Sequence, residues 1–315
     1  MLMFLVLLLF MLFPDKTAAC TKDVLTVWYT AVVPSLLPFF IVCKLLNVTG
    51  EANRAAAKLA PLFRFLCLPE ALAYPFMMSL LCGTPTRSRV LSTCPVPKTE
   101  IDGFAAVCCC PGPLFVIGTV GVGMFGSAAI GYEIWSVCVC TCVLMLFCYP
   151  FPAVSFCPAC TDGSAAEAIW DSLRAILTVA GYMLLFSLPA DILLSFFSDC
   201  PPLIAGLFKG LCEFTGGIRL LARSSGAVPL IAFLLSFGGG SVIFQCLSFL
   251  PEVRIGKFIG MRLLAGLLSL LLCFLAEKTA WFVPGMITLS VILLQTVRRR
   301  KASKLLIKKE RRVTY

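Results

Sequence analysis

Histidine is absent from this sequence. Its absence removes the usual general base at neutral pH, the commonest zinc ligand and the usual proton relay. Charge is scarce as well: only 13% of the 315 residues are Asp, Glu, Lys or Arg, against roughly a quarter in soluble domains. Carboxylates within the apolar stretches are too sparse for a paired acid and base, so an enzyme is not expected. No Lys or Arg occurs between Lys98 and Arg174. Alternation is missing too. Runs such as Leu263–Leu275 are continuously apolar, which excludes the roughly ten-residue alternating strands of a membrane barrel.

In place of charge, 60% of the residues are hydrophobic and the mean hydropathy is +0.98. A bilayer core of ~30 Å needs about 20 mostly apolar residues per helical crossing. Val24–Leu46, Phe104–Met124, Ala128–Tyr149, Ile176–Phe197, Phe258–Ala276 and Trp281–Val297 meet or approach that length. Lipid offers no partners for backbone amides, so each segment must satisfy its own. The expected fold class is therefore all-α, a polytopic transmembrane helix bundle. One integral membrane domain spans 1–297, and a basic tail follows at 298–315. Met1–Phe13 is apolar but lacks a basic leader region and ends at Pro14; it reads as a short first transmembrane helix rather than a cleaved signal. Thr17 stands three residues before Cys20, where a lipoprotein site needs an aliphatic residue.

The 18 cysteines are spread through apolar segments (Cys138, Cys140, Cys142, Cys148), where a free thiol behaves as a small hydrophobe. Cys108–Cys110 and the Cys157-x-x-Cys160 pair stand apart. The latter has neither a second pair nor a histidine, so no metal and no cofactor is expected. From Arg298 to Tyr315 the bases are Arg298, Arg299, Arg300, Lys301, Lys304, Lys308, Lys309, Arg311 and Arg312, against Glu310 alone. Such a cluster after a helix marks the cytoplasmic side. Its expected partner is the lipid bilayer rather than nucleic acid. The cation-free stretch places Pro150–Asp171 on the far side. Ile176–Phe197 then returns the chain inside, where Arg254, Lys257 and Arg262 lie, and two more crossings deliver the tail inside. Counting backwards puts Lys44, Arg54, Lys58 and Arg64 outside, against the same rule.

Two internal repeats are expected, at about 24–126 and about 169–276. Leu62-Phe63-Arg64-Phe65-Leu66-Cys67 recurs as Leu207-Phe208-Lys209-Gly210-Leu211-Cys212, and Met78-Ser79-Leu80-Leu81-Cys82-Gly83-Thr84 recurs as Leu235-Ser236-Phe237-Gly238-Gly239-Gly240-Ser241. Val33–Phe40 with Val179–Phe186, and Ile101–Phe104 with Ile255–Phe258, keep the same order. Each repeat contains a broken or re-entrant helix, interrupted at Cys82–Arg89 and at Ser236–Ser241. Broken segments at matching places in two halves point to a transporter's binding site. Half-helix amides with Arg87 or Arg89 nearby suit an anion. Close helix packing is the simpler account of Gly238–Gly240 alone. It leaves the charges beside the first break unexplained.

Several of these segments resemble a known family. Trp28-Tyr29-Thr30-Ala31-Val32-Val33-Pro34-Ser35-Leu36-Leu37-Pro38-Phe39-Phe40-Ile41 and Gly112-Pro113-Leu114-Phe115-Val116-Ile117-Gly118-Thr119-Val120-Gly121-Val122-Gly123-Met124-Phe125-Gly126 carry the likeness. Ala180-Gly181-Tyr182-Met183 with Phe186, Glu213-Phe214-Thr215-Gly216-Gly217 and Phe233-Leu234-Leu235-Ser236-Phe237-Gly238-Gly239 continue it in order. The chain resembles the YlbJ-type sporulation integral membrane proteins, of the nucleoside-recognition ("Gate") superfamily, from Met1 to about Val297. The resemblance implies a multi-pass protein of the outer forespore membrane with a role in moving dipicolinate, a small aromatic dicarboxylate. The family's first break reads Ser-Gly-Tyr-Pro and then Gly-Ala-Lys. Here Gly83 and Pro85 are kept, Arg87 replaces a glycine and Arg89 stands for the lysine. Cys109, Cys110 and Pro111 replace an Asn-Asn-Ser stretch.

Two functions are thus expected. The first is a secondary transporter of a small organic anion. Its candidate substrate-binding residues are Gly83, Arg89, Gly112, Ser236, Gly238, Gly239, Ser241 and Gln245, with Glu213 and Thr215 as lining or coupling residues. The alternative is a non-transporting scaffold or assembly factor of the forespore envelope.

Overall fold

A computed structural model describes residues 2–83, 91, 101–107, 110–149, 163–197, 199–250 and 252–313. Among these residues all regular structure is helical. The chain opens with α1 (Leu2–Leu12) and the long α2 (Pro14–Val48). The amphipathic α3 (Glu51–Phe65) and the short α4 (Ala73–Cys82) follow. Next come α5 (Ile101–Val107), α6 (Leu114–Met124) and α7 (Ala128–Cys148). The second half holds α8 (Ala165–Leu194), α9 (Pro202–Cys212), α10 (Phe214–Leu221), α11 (Val228–Phe237) and α12 (Gly239–Phe249). It closes with α13 (Ile255–Lys278) and α14 (Val283–Val313).

Local chemistry explains the boundaries. Ser164 and Glu167 form a reciprocal capping box that starts α8, with the Glu167 N–H donating to Ser164 Oγ (3.2 Å) and the Ser164 N–H to Glu167 Oε2 (2.6 Å). Such a box satisfies two otherwise orphaned donors. In α2 a π-helical turn at Trp28–Val32 comes just before Pro34 and Pro38. The wider turn relieves the clash of a proline ring with the preceding turn of helix. α6 is π-helical along its whole length.

Five helical stretches among the described residues are long and apolar enough to cross a membrane: Pro14–Val48, Ala128–Cys148, Ala165–Leu194, Val228–Phe249 and Ile255–Lys278. The chain is a multi-pass membrane protein. Phe104–Met124, expected as one crossing, is instead α5, a non-helical Cys110–Gly112 segment and α6. Pro111 and Gly112 cannot continue a helix begun in α5. Val228–Phe249, read as an interruption, runs right through once its break is counted, because α11 and α12 join at a single residue, Gly238.

That extra crossing reverses the expected sidedness of the middle of the chain. α9 and α10 form a tight antiparallel hairpin, with Gly206 against Leu221 and Gly210 against Gly217, so its two ends share a side. From α8 to α13 the chain then crosses twice, through α8 and through α11–α12. The start of α8 and the start of α13 therefore lie at the same end. Direct contacts agree. Arg299 donates to the carbonyls of Cys67 (3.0 Å), Phe147 (2.8 Å) and Tyr149 (3.1 Å). Lys257 lies over the Tyr149 ring, and Lys44 pairs with Asp171 at 3.1 Å. Gly163–Asp171 thus sits at the tail's end of the bundle rather than opposite it; residues 150–162 lie outside the described ones. Lys44, Arg54, Lys58 and Arg64 join the same end. α3 exposes the last three while burying Ala52, Ala56, Ala60 and Phe63. The conflict with the positive-inside rule disappears.

Asp102 ties this end together. It is 3% exposed and accepts from the Arg254 N–H (2.8 Å) and from Arg254 Nε (2.6 Å), with Lys257 at 3.8 Å. Burial pushes its carboxyl up, but the Arg254 hydrogen bonds and the two cations outweigh burial and hold it below the ordinary value. A depressed acid stabilises fully above its unfolded pKa of about 3.9, and the stabilisation is lost as pH falls through the folded value. Asp102→Asn should therefore cost about 1–3 kcal/mol at pH 7, and the gap to wild type should close below pH ~4 in detergent thermal melts. A gap that persisted at low pH would contradict the ion-pair account. The sidedness has its own test. A protease site inserted at Gly163 should be cut from the same side of sealed vesicles as one fused after Tyr315; cleavage from opposite sides would overturn the crossing count.

Candidate functional site

The site is built on the break between α11 and α12. Gly238 adopts φ +95° and Gly239 φ +64°, values that L side chains rarely reach. The Gly238 N–H still closes α11 by donating to Leu234 (2.7 Å), and α12 then starts without a side-chain cap. Its first amides are unpaired within the helix and carry the positive end of the helix dipole. A Cβ on Gly239 would stand 2.7 Å from the Gly210 carbonyl, so the break lies directly on the α9–α10 hairpin. In that hairpin Glu213, 1% exposed, accepts from the N–H groups of Thr215 (2.9 Å) and Gly216 (2.8 Å) and caps α10. Lys209, one turn earlier, pairs with Asp191 at 2.5 Å.

A second break faces the first. α4 ends at Gly83, whose φ is +78°. A Cβ there would stand 2.8 Å from the Gly112 N, so only glycine allows the two backbones to meet. The Cys110 N–H, left over by the missing helix, donates to Ser79 Oγ at 3.1 Å.

Between these breaks lies a cavity of about 650 Å³ of empty space, its mouth included. Gly83, Pro111 and Gly112 form one wall, and Gly238, Ser241 and Gln245 another. Phe115, Phe214, Tyr182 and Met183 supply aromatic and soft apolar surface, and Thr215 a hydroxyl. Among the described residues that line it, none is charged. Ser241 and Gln245 are each 2% exposed, yet Ser241 Oγ and Gln245 Nε2 have no hydrogen-bond partner among the described residues. A buried donor left unmade costs about 1–3 kcal/mol. Trp135, Thr141, Ser187 and Thr296 also keep a buried polar atom without a partner among the described residues, but none of them lines the cavity.

Of the residues expected from sequence, Gly83, Gly112, Thr215, Gly238, Ser241 and Gln245 converge on this cavity. Three do not line it. Ser236 turns away and donates to Cys138 Sγ at 3.5 Å, because the helical turn puts it opposite the break. Gly239 faces the hairpin, and Glu213 is consumed in capping α10. Arg89, with Arg87 and Cys109, lies outside the described residues. Sequence reasoning missed Tyr182 and Met183 as lining residues although both fall in a motif of the resemblance. It also grouped Arg262 with Arg254 and Lys257 on the inner side and gave it no place near the break. Arg262 is 1% exposed and its Nε donates to the Phe237 carbonyl at 3.0 Å. The available signal was a lone arginine inside an apolar run, which is costly at membrane depth.

The sporulation integral membrane protein YlbJ of Bacillus subtilis (strain 168) is 26% identical to this chain over 329 residues, covering 86% of this chain and 81% of that protein. The resemblance to the YlbJ-type proteins is thereby borne out. No protein-family profile matches the chain, and no solved structure does.

The orphaned carboxamide makes a stability forecast. Gln245→Met keeps the volume and removes the unmade donor, so it should melt no lower than wild type and up to about 1 kcal/mol more stable. Gly238→Ala should cost about 1–3 kcal/mol from its positive φ, because the added Cβ would also meet Arg262 at 3.1 Å and Val242 at 3.2 Å. Thermal unfolding in detergent checks both. A large destabilisation by Gln245→Met would mean that the amide is satisfied in the empty protein.

Proposed function

We propose that this protein is a sporulation-associated secondary transporter of a small organic anion such as dipicolinate, carried in the cavity between the two breaks. The observation that carries this reading is the pair of buried donors, Ser241 Oγ and Gln245 Nε2, that have no partner among the described residues and lie on the cavity wall. Groups in that state are made good by a ligand that accepts hydrogen bonds. The aromatic lining of Phe115, Phe214 and Tyr182 suits a flat aromatic body. The uncapped start of α12 suits a carboxylate.

A carrier also needs joints, because its site must open to each side in turn. Gly83 and Gly238 end two helices of ten residues each with positive φ, and both line the cavity. This agreement supports the duplicated, Gate-type architecture. It gives the two halves comparable places at which to bend. The cationic residues gathered at the tail's end support a cytoplasmic C-terminus. The YlbJ likeness supports placement in the outer forespore membrane of a sporulating bacterium.

Spores of a deletion strain should lack most of their dipicolinate, and the purified chain in proteoliposomes should take up labelled dipicolinate. Gln245→Met should lower that uptake by about tenfold or more, since one hydrogen bond to a charged ligand is worth about 1.5–3 kcal/mol. If Gln245→Met and Ser241→Ala both restore normal spore dipicolinate in the deletion strain, the cavity carries nothing and the scaffold role stands in its place.

A further inference from the structure

A secondary carrier that accumulates its cargo draws on an ion gradient, and Glu213 places a buried carboxylate directly behind the cavity wall. We propose that Glu213 is a proton-coupling site, which takes up one proton when a dianion occupies the cavity and releases it on the other side of the membrane. The inference rests on the cavity being a substrate site.

Three observations lead to Glu213. It is 1% exposed, in the turn of the α9–α10 hairpin. That turn abuts Gly239, near the middle of the Val228–Phe249 crossing, and an ionisable group at such depth is costly and usually functional. Its hydrogen bonds also run to the cavity wall. It accepts from the Thr215 N–H at 2.9 Å and bonds the Thr215 side chain, and both Phe214 and Thr215 line the cavity. One residue thus separates the carboxylate from the ligand space. Last, the turn it caps carries the α11–α12 break. A Cβ on Gly239 would stand 2.7 Å from the Gly210 carbonyl and 3.3 Å from the Phe214 N.

A negative ligand favours protonation of a carboxylate this close, and by linkage the bound proton favours the anion equally. The proton comes from water on the side where the dianion enters, binds a Glu213 carboxyl oxygen, and returns to water where the dianion leaves. A neutral carboxyl holds the Thr215 and Gly216 N–H groups less strongly than a carboxylate does, so protonation also loosens the turn beneath the break. Other titratable groups face this one. Lys209 Nζ and Glu213 Oε2 lie 3.2 and 3.3 Å from where a Gly216 Cβ would be, and Asp191 of α8 pairs with Lys209 at 2.5 Å. Cys212 lies beside Glu213 and Asp191, and Cys20 of α2 beside Asp191 and Lys209. Arg219 of α10 pairs with Asp23 of α2. Of the remaining helices packed on the hairpin, α6 and α11 contain no titratable side chain and α12 contains Cys246.

The test uses the full chain in proteoliposomes, with the membrane potential clamped at zero and labelled dipicolinate as probe. Wild type should accumulate it about tenfold per unit of inward proton gradient, as one coupled proton requires, and a protonophore should abolish the accumulation. Glu213→Gln keeps an acceptor oxygen for the cap but cannot titrate. It should still exchange labelled for unlabelled dipicolinate about as fast as wild type, while gradient-driven accumulation disappears. A purely capping Glu213 would move both readouts together. A folded Gln variant that still accumulates, or that loses exchange as well, overturns the proposal. Should the Gln variant not fold, the infrared difference spectrum of wild type on adding dipicolinate decides. A protonated-carboxyl band must appear there and must shift in Glu213→Asp; a missing or unmoved band overturns the proposal. Wild type that carries dipicolinate without responding to the gradient overturns the coupling and leaves the carrier standing. Wild type that carries none overturns both.

Discussion

A peptide group inside a bilayer has no water to turn to, and each helix break in this protein creates several such groups at once. The architecture is largely the set of answers to that demand. At the α11–α12 break Arg262 takes the Phe237 carbonyl. At the α9–α10 break the Glu213 carboxylate takes two N–H groups. Beside Gly83 the Ser79 hydroxyl takes the Cys110 N–H. Each break is also covered by protein: Gly239 by the hairpin, and Gly83 by Gly112. Two of the groups without a partner among the described residues, Ser241 Oγ and Gln245 Nε2, sit together on the cavity wall.

The same demand distributes the charges. Among the described residues, buried ions stand where a break or an end gives them work. Lys209 and Asp191 brace the hairpin, Asp102 ties α5 to the start of α13, and Arg299 closes the carbonyl ends of α7 and of the turn after α3. The exposed cations of α3 lie at that same end. The bundle therefore has one basic end and a cavity between the breaks that gathers buried polar groups such as Ser241 and Gln245.

Much of this was legible in residue order. The helical class followed from run length and the lack of alternation, and the second break from three consecutive glycines in an apolar run. Six of the ten expected site residues do line one cavity, because glycine, serine, threonine and glutamine are out of place in a lipid-spanning helix unless something uses them. Ser236 and Glu213 misled for the same reason: they are polar and near the break, but rotation about the helix axis and capping geometry turned them to other partners. The sidedness error had a different source. Cation counting alone treated α11–α12 as an interruption, and a crossing miscounted once inverts every loop before it.

By itself the sequence determined that this chain lives in the membrane as helices, that a glycine run breaks α11–α12 and that a helix stops at Gly83, because run length and glycine act locally and lipid leaves the backbone no alternative. Only the tertiary structure decided that the breaks meet around one cavity, that α11–α12 crosses fully, and that Arg262 stands behind Gly238. These depend on which helix faces which, and in an apolar sequence almost every face is permitted until close packing chooses one.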